Sequence, residues 1–157
     1  IQTMPQSSPQ VVGNQEPIEL LDNKRIVTTE DELKLFALVK AMFESSEYAN
    51  SEILDPDSKK SVPIEMTYKD TNIFFSVCLN RPSLWVIRAA IGSGKPWIGF
   101  NVNPEDAEKL IPNGFSRLPS YAHSKFRIAI EKLQDLNSLG KILLLAFQKT
   151  IEEGKKE

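Results

Sequence analysis

Arg88 stands in the middle of the apolar run Leu84-Trp85-Val86-Ile87-Arg88-Ala89-Ala90-Ile91. A guanidinium flanked this way must either reach water along its stem or find an anion inside the fold. Two chemistries suit it. One is a structural ion pair, for which Asp70 and Glu65 are the expected carboxylates. The other is a ligand phosphate or carboxylate gripped by the planar fork. A second polar group, Lys69-Asp70-Thr71-Asn72, joins two runs of β-forming residues. Turn chemistry explains Asp70 and Asn72, which satisfy backbone amides and tolerate unusual φ. With Arg88 near in a sheet, Lys69, Asp70 and Thr71 would form a compact charged spot. Lys59, Lys60, Lys69, Arg81 and Lys95, with Trp97 beside them, could meet a nucleic-acid backbone and stack a base.

Other chemistry-bearing residues point to less. His123 is the single histidine and has no cysteine or carboxylate at ligand spacing, so it reads as a surface or helix-end residue. Asp55 and Asp57 flank Pro56 without further oxygen donors, which makes a weak calcium or magnesium site. Gly92-Ser93-Gly94-Lys95 lacks the G-x-x-x-x-G-K-[ST] spacing and precedes a strand, so it reads as a hairpin turn. Cys78 lies in an apolar strand and is expected to be a buried, inert thiol. No nucleophile, base and orienter assemble from these residues, and no cofactor is expected.

The elements that position these residues follow from periodicity. Runs at 64–68, 73–79, 84–91 and 97–102 read as a four-stranded antiparallel meander, the third strand central and covered on nearly both faces. Before it, Thr29 and Glu32 make a capping box for a helix whose face carries Leu35, Leu38, Val39 and Met42. Residues 44–61 are polar and read as a loop with one buried contact from Ile53-Leu54. After the sheet, Asn103-Pro104-Glu105-Asp106 starts a short helix, followed by helices over 120–136 and 138–153. The expected architecture is α+β: an N-terminal helix, the meander sheet, then C-terminal helices.

Composition sets the outer limits. The 157 residues fit one domain, and the net charge of −2 argues against coating nucleic acid by bulk electrostatics, although a local basic patch remains open. One cysteine permits no internal disulfide, in keeping with a reducing cytoplasm. The apolar run at 142–147 is far short of a bilayer span, so no membrane partner is expected. Residues 1–17 are rich in Gln, Ser and Pro and read as an interdomain linker, with residues 18–157 as the folded domain of a C-terminal fragment; 18–21 would pack as a short arm and 22–25 would turn.

Several of these pieces together resemble a family. The opening Ile26-Val27-Thr28-Thr29-Glu30-Asp31-Glu32-Leu33, the turn and strand Tyr68-Lys69-Asp70-Thr71-Asn72-Ile73-Phe74-Phe75, and the strand arginine Arg88 are similar in order and spacing to a known module. It is the C-terminal module of bacterial restriction endonuclease-like proteins related to the N-terminal region of type I restriction enzyme R subunits. The likeness covers about residues 26–103. Lys69 stands where the pattern has arginine, 44–62 is longer, and Ala89-Ala90 follow Arg88 where a leucine and an aromatic would fit. The resemblance implies a nuclease-like domain before Ile1, DNA as the eventual target, and an uncharacterised accessory role in a restriction-related or prophage protein. The candidate site is then Lys69, Asp70, Thr71, Arg88, Lys95 and Trp97. The alternative is a structural or homo-oligomerising module in which Arg88 and Asp70 pair internally.

Overall fold

The computed structural model describes residues 27–92 and 94–156. The expected linker at 1–17, the arm at 18–21 and the turn at 22–25 lie outside the described residues. Helix α1 (Glu30–Glu44) opens on the capping box: the Thr29 hydroxyl accepts from the Glu32 amide at 3.1 Å, and the Glu32 carboxylate accepts from the Thr29 amide at 2.9 Å. Its buried stripe is Leu35, Val39 and Phe43.

The sheet overturns the four-stranded meander. The chain forms a mostly-sheet domain, with a six-stranded antiparallel sheet, a separate two-stranded sheet, and helices at the ends. Residues 44–61 are not a plain loop: β1 (Glu52–Leu54) and β2 (Ser61–Pro63) pair antiparallel and bring Ile53 into the core. Strands β3 (Met66–Asp70), β4 (Phe75–Leu79), β5 (Trp85–Ala90) and β6 (Trp97–Phe100) follow in order. After the short helix α2 (Pro104–Glu108), β7 (Arg117–Leu118) and β8 (Arg127–Ala129) extend the sheet to the order β3-β4-β5-β6-β8-β7.

The helix expected over 120–136 is absent for a reason visible in the side chains. Phe126 and Ile130 fit an i, i+4 helical stripe, but Phe126, Ile128 and Ile130 also alternate with Arg127 and Ala129, and all three are buried. Pairing beside β6 buries that alternation on the sheet, so the two-residue period wins over the helical one. A 3-10 helix (Leu133–Leu139) then leads directly into α3 (Gly140–Gly154).

One face of the sheet, here the inner face, carries Phe75, Val77, Leu79, Ile87, Ala89, Ile98, Phe100 and Ile128 into a core shared with α1 and α3. Phe43 and Phe147 meet edge to face at 5.1 Å between the helices. Asn101, just past β6, ties sheet to helix by donating to the Trp85 carbonyl at 3.1 Å and to the Thr150 hydroxyl at 3.2 Å.

The helix α1 cap is coupled to the sheet through two acids. Burial is the main cause that holds the Glu32 carboxyl above its ordinary range, with the Asp70 carboxylate facing it as a further cause. Asp70 Oδ2 is buried without a hydrogen-bond partner. Since the folded state favours protonated Glu32, that stability is present in acid and is lost as pH rises through the raised value. Glu32→Gln, neutral at every pH and still able to cap, should therefore raise the melting temperature at pH 7. The gap from wild type should close at pH 4; a variant less stable than wild type at pH 7 would refute the coupling.

Candidate functional site

The expected pair of Asp70 with Arg88 does not form, and the register shows why. Lys69 faces Ser76, Ser76 faces Arg88, Arg88 faces Gly99, and Gly99 faces Arg127, so these five residues make one row on the outer face. Asp70 lies one residue along, in the inner row with Phe75, Ala89 and Ile98. Successive residues of a strand point to opposite faces, so Asp70 and Arg88 are separated by the sheet itself. Glu65 is exposed and bonds Asn80 through its backbone amide instead.

Thr71 proves to be a turn residue. Its hydroxyl donates to the Phe74 carbonyl at 2.9 Å and accepts from the Ile73 and Phe74 amides at 3.2 and 3.1 Å, closing the β3–β4 hairpin. Lys95 is exposed in the β5–β6 turn, at the sheet end opposite Arg81, whose guanidinium donates to the Leu54 carbonyl. Lys59 and Lys60 belong to the β1–β2 hairpin. The broad basic surface is therefore divided, and of the candidate residues only Lys69, Arg88 and Trp97 share the outer face.

A β-bulge adds a residue that simple alternation assigns to the wrong side. Val77 pairs with Ile87 while Cys78 pairs with Trp85, leaving Val86 extra, so Val86 and Ile87 both enter the core and Trp85 turns outward. The Arg88 guanidinium consequently sits between two rings, its Cζ 4.2 Å from the Trp85 centroid and 4.6 Å from that of Phe74. Arg88 Nη1 donates to the His123 carbonyl at 2.8 Å, and Nε is buried without an acceptor. Burial lowers the Arg88 pKa from its ordinary value, as expected for a desolvated cation with no carboxylate beside it.

Residues 119–126 fold back over part of the outer face. Tyr121 and Ser124 close a tight turn through reciprocal backbone bonds, and Ser124 rests on the bare Cα of Gly99. Arg127 donates from both Nε and Nη2 to the Pro119 carbonyl and lies 4.9 Å from the Trp97 ring and 4.7 Å from that of Tyr121. That arginine and the buried Trp97 are thus occupied in holding the covering segment down. His123, in turn, lies tilted against Phe74 and meets Tyr121 edge to face.

Where the covering segment meets β5 and α3 there is a cleft of about 380 Å³, lined by Trp85, Arg88, Asn103, His123, Lys125 and Lys149 among others. Lys149 is paired with Glu153 at 2.6 Å; Lys125 is exposed. Among the described residues neither Lys69, Arg88 nor Lys125 has a carboxylate partner. The site can therefore take an anion beside aromatic rings. Lys125 carried no sequence signal, and Trp85 could be found only through the bulge.

Cys78 borders this layer, fully buried, with burial pushing its thiol up to about 11 against the opposing pull of Arg88 and Lys69. At pH 8 the native chain should carry about 100-fold less thiolate than the unfolded one. Alkylation followed by mass spectrometry should show modification of Cys78 only on unfolding, and rapid native labelling would refute the burial.

Among the described residues no cluster of three or more His, Cys, Asp or Glu could hold a metal ion, and no helix is long and apolar enough to cross a membrane. No protein-family model, curated protein or solved structure matches the chain.

Proposed function

We propose that the chain is a non-catalytic nucleic-acid-engaging module, whose outer sheet face and adjoining cleft hold a single strand through phosphate contacts from Lys69, Arg88 and Lys125. The observation that carries this reading is Arg88: a desolvated guanidinium held between Phe74 and Trp85, with its Nε lacking an acceptor and no carboxylate beside it. Half-burying a charge against one neutral carbonyl and no carboxylate is costly, and an incoming oxyanion offsets that cost. Cations set beside aromatic rings along a groove are also a means by which single strands are held without sequence readout. A module of this kind would suit the accessory role in a restriction-related protein implied by the family resemblance.

A second reading rests on the Arg88 bond to the His123 carbonyl, which makes Arg88 a strap for residues 119–126 and leaves the face without a ligand. Fluorescence anisotropy of a labelled single-stranded 20-mer separates the two. With about three phosphate contacts, affinity should fall about 20-fold between 50 and 200 mM salt. Lys69→Ala with Lys125→Ala should weaken binding at least tenfold without moving the melting temperature. Absence of salt-dependent binding at micromolar protein would leave only the strap.

A further inference from the structure

Resting on that reading, we infer that the cleft beside Arg88 is an end-site: it receives the terminal phosphomonoester of a nucleic-acid strand rather than a stretch of its interior. The first support is the obstruction in the cationic row. Ser76 is buried, so a strand that touches Lys69 and Arg88 crosses above it and then meets Ser124, which stands on Gly99 between Arg88 and Arg127. Beyond that barrier Arg127 has both Nε and Nη2 on the Pro119 carbonyl and lies against two rings, so the row does not continue as a binding track.

The second support is the cleft itself. It is lined by Arg88 and walled by β5, by the connection from β6 to α2, and by the covering segment. Its volume of about 380 Å³ is near the low end for small-molecule sites, room for one nucleotide. The third is the set of donors. Arg88 has only Nη1 engaged, on the His123 carbonyl, Lys125 is exposed and unpaired among the described residues, and the Asn103 side chain is already used to cap α2. Lys149 is neutralised by Glu153 and adds little net charge. A doubly charged phosphomonoester gains more from Arg88 and Lys125 together than a singly charged diester does, since the attraction scales with the charge on the ligand.

The same group could arrive on a free mononucleotide, and the test separates the two sources. Binding of a single-stranded 12-mer is compared in three forms, with a 5′-phosphate, with a 3′-phosphate, and with hydroxyls at both ends, using adenosine monophosphate as competitor. A phosphate at one of the ends should tighten binding at least tenfold over the hydroxyl form. Arg88→Met, which removes the charge, should abolish the preference, as should Lys125→Ala on the exposed segment. Lys125→Ala should also weaken the hydroxyl form, but by a smaller factor than it weakens the phosphorylated form, so that the two come to bind alike. Equal binding of all three 12-mers overturns the end-site and leaves the strand-binding reading standing. Failure of all three to bind overturns both, and competition by the mononucleotide at the concentrations where the phosphorylated strand binds overturns the assignment to a strand end.

Discussion

Replacing Gly99 with valine should cost about 3 kcal/mol of stability, the upper range for overpacking a filled site, and should detach residues 119–126 from the sheet. A Cβ at Gly99 would lie 2.6 Å from Ser124 Cβ, closer still to its hydroxyl, and 3.2 Å from the Trp97 ring. None of these can yield freely. Ser124 is buried and bonded through its hydroxyl to the Phe126 carbonyl, and Trp97 is confined by Tyr121 and Arg127. Urea denaturation would measure the loss, and tryptophan fluorescence would report the release of Trp97. Gly92→Ala serves as control: nothing lies within 4 Å of its added Cβ, so stability should stay within about 0.5 kcal/mol. Equal effects of the two substitutions would mean that Ser124 does not bear on Gly99.

Arg88→Met should have the second large effect, on binding rather than folding. Methionine keeps an unbranched apolar stem between Phe74 and Trp85 and removes the buried Nε that lacks an acceptor. Against that gain stand one charge-assisted bond to the His123 carbonyl and the two cation–π contacts, which the methionine sulfur replaces in part. Gain and loss nearly offset, so stability should change by no more than about 1 kcal/mol. Loss of charge-assisted bonds to a phosphate, at about 1.5–3 kcal/mol, should weaken strand binding by about 10- to 150-fold. The reverse pattern, several kcal/mol of destabilisation with binding intact, would make Arg88 a strap alone.

The parts of the fold that were legible in the sequence were local. The Thr29 and Glu32 pair fixes the start of α1 because capping needs only residues three apart. Phe75, Val77 and Leu79 face the core along β4 as alternation predicts, although every residue of that strand is buried. What escaped depends on partners distant in the chain. Phe126 and Ile130 satisfy two periods at once, and only a place beside β6 selects the strand. The bulge at Val77 and Cys78 exchanges the faces of Trp85 and Val86, which no strict two-residue pattern can anticipate.

The candidate site was legible in the same uneven way. Arg88 is conspicuous because its flanks are apolar, and Lys69 does share its outer row. Asp70 was misplaced because the hairpin register, set by Thr71 and Phe74, decides which turn residue faces which side. Lys125 reaches the cleft only because 119–126 folds back, a consequence of Gly99 leaving room for Ser124.

The most direct test is to follow the arginine Nε–H signals by NMR while titrating a 5′- or 3′-phosphorylated single-stranded 12-mer into the protein. The expected result is a large shift confined to Arg88, whose Nε lacks an acceptor, with little change at Arg127, whose Nε is bonded to Pro119. Binding that leaves the Arg88 signal in place, or that shifts Arg81 and Arg117 instead, would contradict the placement of the ligand on this face.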